Sequence, residues 1–311
     1  MINRLLRKVF LLLARSTWLG ERLPRLPFMQ RAIRRLMPGT EIGDALGAAV
    51  DLQVLGIRTL YTKLGEAITD PAGAQAVVDH YLELLARIRA TDIDGEISVK
   101  PTQLGLDIDE DVCLAHLRAL AVAAEAQGSY LWIDMEDSSY VDRTLDLYQR
   151  LRATNPSTGI CLQAYLRRTA KDVEKLLPLG PAIRLVKGAY DEPKAIAFRA
   201  KSEVDANFLG LAVTLIRECR VRPMRVGLGT HDIDLIEQVA SHAAAAGIPK
   251  DAFEVQMLYG VRAKDQKRLA KSGFKVQVLI AYGDAWYRWY MRRLAERPAN
   301  VVFAIRQLLP W

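Results

Sequence analysis

The sequence predicts an α/β protein: a single (βα)8, TIM-like barrel preceded by a helical N-terminal arm. Three observations carry that expectation. After Gly39, eight short β-branched or apolar runs recur along the chain, with segments of helical periodicity between them. Strand and helix in alternation argue for a parallel sheet. Eight repeats in roughly 250 residues also match the usual length of such a barrel. The competing architecture, an open doubly wound sheet, usually carries a Gly-rich turn after its first strand. Here the first strand ends Leu64-Gly65-Glu66, and the lone Gly227-Leu228-Gly229 stands late in the chain.

The strands are expected at Gly56–Leu64, Ile97–Lys100, Leu131–Asp134, Ile160–Ala164, Ile183–Lys187, Arg225–Gly229, Phe253–Leu258 and Lys275–Ala281. One helix should start at Asp70-Pro71, a capping residue followed by Pro in the first turn. It should bury Val77, Val78, Tyr81, Leu82, Leu85 and Ile88. A second should run from Asp109 to Gln127 and stop at Gly128, a favoured residue just past a helix end. A third is expected at Thr169, with Asp172 completing a capping-box-like start. A fourth should begin near Pro193 and reach about Cys219, and a fifth should span Ile233 to Ala246 and end at Gly247.

The 311 residues are 50% apolar and 25% charged, an ordinary globular balance. The net charge of +7 is uneven. Residues 1–36 carry nine basic side chains against Glu21 alone, a net +8, so the rest of the chain stands at −1. The division expected is a basic helical arm over 1–39 and a barrel over 40–311. The basicity belongs to the arm, so nucleic-acid binding by the body is not expected. Leu5, Leu6, Val9, Phe10, Leu12 and Leu13 lie largely on one side of a helix. Such a segment packs on its own protein or lies on a membrane surface. The apolar run at 9–14 is far shorter than the ~20 residues a membrane span needs. No small-residue cleavage site follows it, which argues against a signal peptide. Cys113, Cys161 and Cys219 suggest neither a disulfide framework nor a zinc site, and the four histidines have no metal-ligand spacing. A reducing, cytoplasmic setting is expected, with peripheral contact to the inner face of the cytoplasmic membrane as an option.

In a barrel, chemistry sits at the C-terminal ends of the strands. Polar residues stand there in repeat after repeat: Lys100, Asp134, Gln163, Arg184, Lys187, Thr230, His231 and Gln256. A charge inside an apolar strand is costly unless something satisfies it. Strand parity puts Arg184 and Val186 on one face and Leu185 and Lys187 on the other. An arginine facing the barrel centre needs a carboxylate or an anionic ligand. After the last strand comes an aromatic-rich helix, Trp286-Tyr287-Arg288-Trp289-Tyr290-Met291-Arg292-Arg293. Its two adjacent guanidinium forks suit a carboxylate.

These motifs resemble the proline dehydrogenase family in its single-domain bacterial form, from about Leu64 to Asn300. The resemblance rests on Leu64-Gly65-Glu66, Ser98-Val99-Lys100, Ile133-Asp134-Met135-Glu136-Asp137, Arg184-Leu185-Val186-Lys187-Gly188-Ala189-Tyr190, Thr230-His231-Asp232, Gln256-Met257-Leu258-Tyr259-Gly260 and Arg292-Arg293-Leu294-Ala295-Glu296. It implies a distorted (βα)8 barrel carrying noncovalent FAD. It also implies that Lys100, Arg292 and Arg293 hold the substrate carboxylate while Glu66 orients the arginine pair. Asp134 would stand beside the substrate and Arg184 near flavin N5. Met135, Gln163, Lys187, Gly188, Ala189, Thr230, His231 and Gln256 would contact the flavin. The implied product is pyrroline-5-carboxylate, with electrons passing to a membrane quinone, which gives the basic arm a role in docking on anionic lipid.

One stretch departs from the family. There the family commonly has Tyr, one residue, Pro, one residue, Gly, whereas this chain reads Leu279-Ile280-Ala281-Tyr282-Gly283. Leu279 takes the place of the Tyr that packs on the substrate ring, which leaves proline, hydroxyproline or another cyclic amino acid open as substrate. Two other classes of function are set against this one. A lyase or aldolase would use Lys100 or Lys187 as a Schiff-base amine. A non-catalytic, membrane-associated flavin-binding protein would have lost turnover through Leu279 and Ala281.

Overall fold

The computed structural model describes Arg22 and residues 33–65, 67–287 and 289–291. Eight parallel strands close into a barrel in sequence order. They are β1 (Arg58–Lys63), β2 (Gly95–Val99), β3 (Leu131–Ile133), β4 (Thr158–Gln163), β5 (Ala182–Val186), β6 (Arg225–Gly229), β7 (Glu254–Leu258) and β8 (Lys275–Tyr282). Closure comes from β8 lying beside β1, with Arg58 opposite Gln277 and Lys63 opposite Tyr282. All eight expected strands are present, most with ends shifted by one or two residues.

Around this wall lie α1 (Ile42–Gln53), α2 (Pro71–Ala90), α3 (Glu110–Glu125), α4 (Val141–Arg152), α5 (Thr169–Leu176), α6 (Lys201–Glu218), α7 (Ile233–Ala245) and α8 (Ala263–Lys271). The capping chemistry explains several of the starts. The Asp70 carboxylate accepts the Gly73 N–H at 2.7 Å, and Pro71 sets the first turn of α2. Asp109 accepts from both Asp111 and Val112 at the head of α3. The buried stripe of α2 includes Val77, Val78, Tyr81, Leu84, Leu85 and Ile88, while Leu82 sits only at its margin. These side chains fill the layer between the outer strand faces and the helices, where apolar burial supplies most of the fold's stability. Tyr81 is fully buried there, and its hydroxyl donates to the Ser98 carbonyl and accepts the Lys63 N–H.

One expected helix start holds without its expected cap, and another is corrected. Thr169 is the first residue of α5 rather than its cap. Its hydroxyl donates to the Gln163 carbonyl at 2.6 Å, and Asp172 pairs with Arg168, so no capping box forms. Pro193 heads a single turn, closed by the Ile196 and Ala197 N–H groups, and α6 starts only at Lys201. Between them the chain is pulled inward: Phe198 N–H donates to the Tyr165 carbonyl, and Ala197 pairs with Leu166. The buried Glu192 carboxylate takes the Ser138 N–H at 2.7 Å and its hydroxyl at 2.6 Å. Those bonds fasten the loop after β5 to the loop after β3 and keep it from becoming helix.

The barrel interior needs close approaches that only glycine allows. A Cβ on Gly159 would lie 2.5 Å from the Trp132 ring. Of the expected basic arm, residues 1–39, only Arg22 and 33–39 fall among the described residues. Ile33 and Met37 pack with Leu64, Ala281, Trp286 and Tyr290, so the end of the arm covers the C-terminal ends of β1 and β8. No helix among the described residues is long and apolar enough to cross a membrane.

Candidate active site at the C-terminal rim

Three charged groups from separate repeats meet at the C-terminal side of the barrel. Lys100 directly follows β2, Asp134 directly follows β3, and Arg184 projects inward from the middle of β5. Asp134 Oδ1 accepts from Arg184 Nη2 at 2.9 Å and from Ser98 Oγ at 2.9 Å. Its Oδ2 faces Lys100 Nζ at 3.4 Å. Arg184 Nη2 also donates to Ser98 Oγ at 2.7 Å. Burial by itself would push the Asp134 carboxyl up. The Arg184 and Lys100 charges, with the Ser98 hydroxyl, outweigh burial and hold it below the usual carboxylate range. The outcome is an ionised carboxylate carrying two cations, a local excess of positive charge that suits an anionic ligand.

Around this group lie two buried polar atoms without a hydrogen-bond partner among the described residues, Arg184 Nε and Gln163 Oε1. Gln163 Nε2 is used, donating to the Glu136 carbonyl at 3.1 Å. Buried polar atoms are paired in the great majority of cases, so open ones at the inner side of β4 and β5 are places a ligand can bond. Gly188 has a φ of +110°, and a Cβ there would lie 2.1 Å from the Tyr165 ring, so glycine alone fits that turn after β5.

The other expected residues are distributed as follows. Met135 is buried in the apolar layer, Ala189 is half-buried, and Thr230 is buried after β6. His231 Nε2 accepts the Leu258 N–H at 3.5 Å. Lys187 pairs with Asp205 at 2.5 Å and Asp232 at 2.8 Å, and Lys201 joins the same two carboxylates. Burial opposes ionisation of Asp232, but the Lys187 and Lys201 ammonium groups prevail and bring it down to about 2. Gln256 turns into the barrel, with its amide donating to Glu254 and Gln277. Leu279 also faces inward and packs against Leu60, Trp132 and Ala182. Glu66, Arg292 and Arg293 lie outside the described residues.

Ser98, Glu136 and Glu192 were not singled out from the sequence. Ser98 shares parity with Lys100, a signal that could have placed it in the interior. Glu136 anchors Thr102 through its N–H at 3.1 Å and hydroxyl at 2.7 Å. Lys100 faces Asp134, and Lys187 faces Asp205 and Asp232. Among the described residues no group of His, Cys, Asp and Glu could hold a metal ion.

A closed (βα)8 barrel with an ionic cluster at its strand C-termini defines the class: an α/β barrel, whose enzymes carry their chemistry at that end. Comparison with known proteins narrows the class. The proline dehydrogenase family model matches residues 45–306. Proline dehydrogenase 1 of Bacillus subtilis subsp. natto is 35% identical over 305 residues, covering 98% of this chain and 99% of its own. The proline dehydrogenase of Deinococcus radiodurans is 35% identical over 314 residues, with 99% of each covered. The chain belongs to the proline dehydrogenase family, and by that membership it is an oxidoreductase. Among solved structures, proline utilization A from Bdellovibrio bacteriovorus, inactivated by N-propargylglycine, superposes with a TM-score of 0.80. Its identity of 23% makes this a likeness of fold; the match covers 86% of this chain and 33% of that longer one.

Proposed function

We propose that this chain oxidises proline, or a proline-like cyclic amino acid, at the carbon next to the ring nitrogen. FAD is the electron acceptor in this reading, and a quinone takes the electrons onward. The observation that carries the reading is the meeting of Lys100, Asp134 and Arg184 beside the open Arg184 Nε and Gln163 Oε1. A guanidinium N–H and an amide oxygen left open suit the N–H and carbonyl edges of an isoalloxazine. The glycine turn at Gly188 lets the backbone pass close by. In the same reading Met135, Lys187, Ala189, Thr230, His231 and Gln256 are the remaining cofactor contacts.

FAD, when bound, supplies the two-electron sink. The chain's own residues bind and aim the substrate. Lys100, Arg292 and Arg293 take the carboxylate, Glu66 orients the arginine pair, and the clamp fixes the ring. Asp134 stays ionised at neutral pH and holds Lys100 and Arg184 in place. The substrate nitrogen must be neutral, so that its lone pair forms the C=N bond as hydride leaves the adjacent carbon. Loss of the N–H proton then leaves pyrroline-5-carboxylate. Arg184 offers fixed positive charge where reduction deposits negative charge. The Leu279 side chain leaves an aliphatic wall inside the barrel, which keeps hydroxyproline, larger rings and N-alkyl amino acids on the panel of substrates.

The test is anaerobic titration of the purified protein with L-proline and that panel, followed in the visible spectrum. Bleaching of the flavin bands by proline or one relative supports the reading. A colourless protein, or a flavin that none of them bleaches, overturns it. The basic arm is read as docking on anionic lipid at the inner face of the cytoplasmic membrane. Removing the residues before Gly39 should then abolish co-flotation with anionic vesicles, and unchanged flotation would leave the arm a packing element only.

A further inference from the structure

Trp132 joins the ionic group at the rim to a second one at the other end of the barrel. It is fully buried, and it packs with Leu60 and Ala182. Its indole N–H donates to Glu96 Oε2 at 2.7 Å. The other oxygen of Glu96 bridges Arg225 at 2.8 Å and Arg58 at 3.3 Å. Two guanidinium carbons lie over the indole, each 5.1 Å from the ring centre: Arg225 from the N-terminal end of β6, and Arg184 from β5. Gly159 on the neighbouring strand admits the ring, since an added Cβ would meet three of its atoms at 3.0 Å or less.

Arg184 reaches Ser98 and Asp134 through one nitrogen, Nη2, and its Nε has no partner among the described residues. Both of those hydrogen bonds are made at a single nitrogen, and the Cys161 thiol on the neighbouring strand is a further contact of the guanidinium. The face of an aromatic ring within about 6 Å attracts a cation and favours a set approach, most strongly when both are desolvated. The ring can act this way only if it is itself held, and the hydrogen bond to Glu96 holds it.

We propose that Trp132 is a positioning residue. Pinned through its N–H by Glu96, it carries Arg184 on its ring face and sets the plane in which Arg184 meets Asp134 and the reacting partner. This rests on the reading of Arg184 as part of the reaction site. Glu96 and Gly159 serve the same end, one by gripping the indole and the other by making room for it.

The test uses Trp132→Phe, which keeps a ring face, and Trp132→Met, which keeps much of the volume but has none. Loss of the desolvated cation–π contact should lower kcat of the Met variant by roughly tenfold or more. KM for the amino acid should move little, and Trp132→Phe should restore most of kcat. In the background of Arg184→Lys, the Met change should add little further loss, because the group it positions is already altered. A second readout needs neither substrate nor cofactor. In 15N spectra of the arginine Nε–H region, the Arg184 signal is assigned by its loss in Arg184→Lys. It should persist in Trp132→Phe and broaden or vanish in Trp132→Met. Should Trp132→Met not fold, Gly159→Ala, which crowds the indole without deleting it, should give the same kinetic and spectral pattern. An unchanged kcat and an unchanged Arg184 signal in a folded ring-less or crowded variant would overturn the proposal. Full activity in Arg184→Lys would instead overturn the reading of the site, and the spectra would still report on whether Trp132 holds Arg184.

Discussion

The two ends of the barrel carry ionic clusters of opposite character. At the N-terminal end, Arg58 and Arg225 face Asp94, Glu96 and Glu254, and the bonds close on one another. Arg225 grips Glu254 through two nitrogens at 2.7 and 2.9 Å, and Arg58 grips Asp94 in the same way. Glu96 has both oxygens taken, one by the Trp132 indole. At the C-terminal rim, among the described residues, two cations share one carboxylate, and Arg184 Nε and Gln163 Oε1 have no hydrogen-bond partner. The N-terminal network answers the desolvation of its charges with its own ion pairs. The rim network, among the described residues, carries more cations than carboxylates and lies on the face where barrel loops converge. Charge in a barrel interior is therefore informative only with its bookkeeping of partners attached.

The sharpest way to break this contrast is Arg184→Ala. Removing a preorganised charge from a reaction site typically costs about 10²–10³-fold in rate. We expect kcat for proline to fall by that order while the protein still melts cooperatively, and wild-type turnover in the variant would erase the distinction between the two ends. The reverse pattern is expected for Arg58→Met. Its side chain is 38% exposed, so the lost pairs should cost about 1–3 kcal/mol in urea unfolding and leave kcat and KM of the folded protein alone.

Acid should act more strongly on the rim. The folded-state pKa of Asp134 lies below its unfolded value, so its stabilisation is complete above about pH 4 and is lost as pH falls further. Asp134→Asn should flatten that part of the acid unfolding curve. A separate slope at higher pH belongs to His80, which stacks on Tyr282 outside the barrel wall. Burial and then Lys63 lower its pKa to about 4. The unfolded chain therefore takes up a proton first, and stability falls as pH drops from about 6.5 towards 4. In His80→Gln that slope should disappear from thermal melts recorded across the range. The smallest effect expected is that of Lys201→Ala. Its side chain is 76% exposed, and surface pairs of this kind contribute about 0.2–1 kcal/mol. Leaving Lys187 on Asp205 and Asp232, the change should shift Tm barely and spare turnover.

Much of the barrel could be read from residue order. Period-two runs such as Arg225–Gly229 and caps such as Asp70-Pro71 are local features, and local sterics and hydrogen bonding decide them. The rim residues Lys100, Asp134 and Arg184 could be nominated because a charge at the end of an apolar strand is anomalous wherever the chain goes. Less legible was the stretch from Pro193 to Lys201. Its composition suits a helix, but Glu192 is spent on Ser138, 54 residues earlier. Ser98 gave no signal as a hydroxyl, because its worth depends on standing between Asp134 and Arg184.

By itself, then, the sequence determined the number and order of strands, the shared face of Arg184 and Val186, and the basic character of residues 1–36. Those follow from alternation, capping and charge, which neighbours in the chain settle among themselves. Only the tertiary structure decided that the barrel's charges form one closed set and one open set. The same was true of the surface of Trp132 on which Arg184 would rest, and of the polar atoms left without partners. Each of these depends on distances between side chains from strands far apart in the chain, and barrel closure sets those distances.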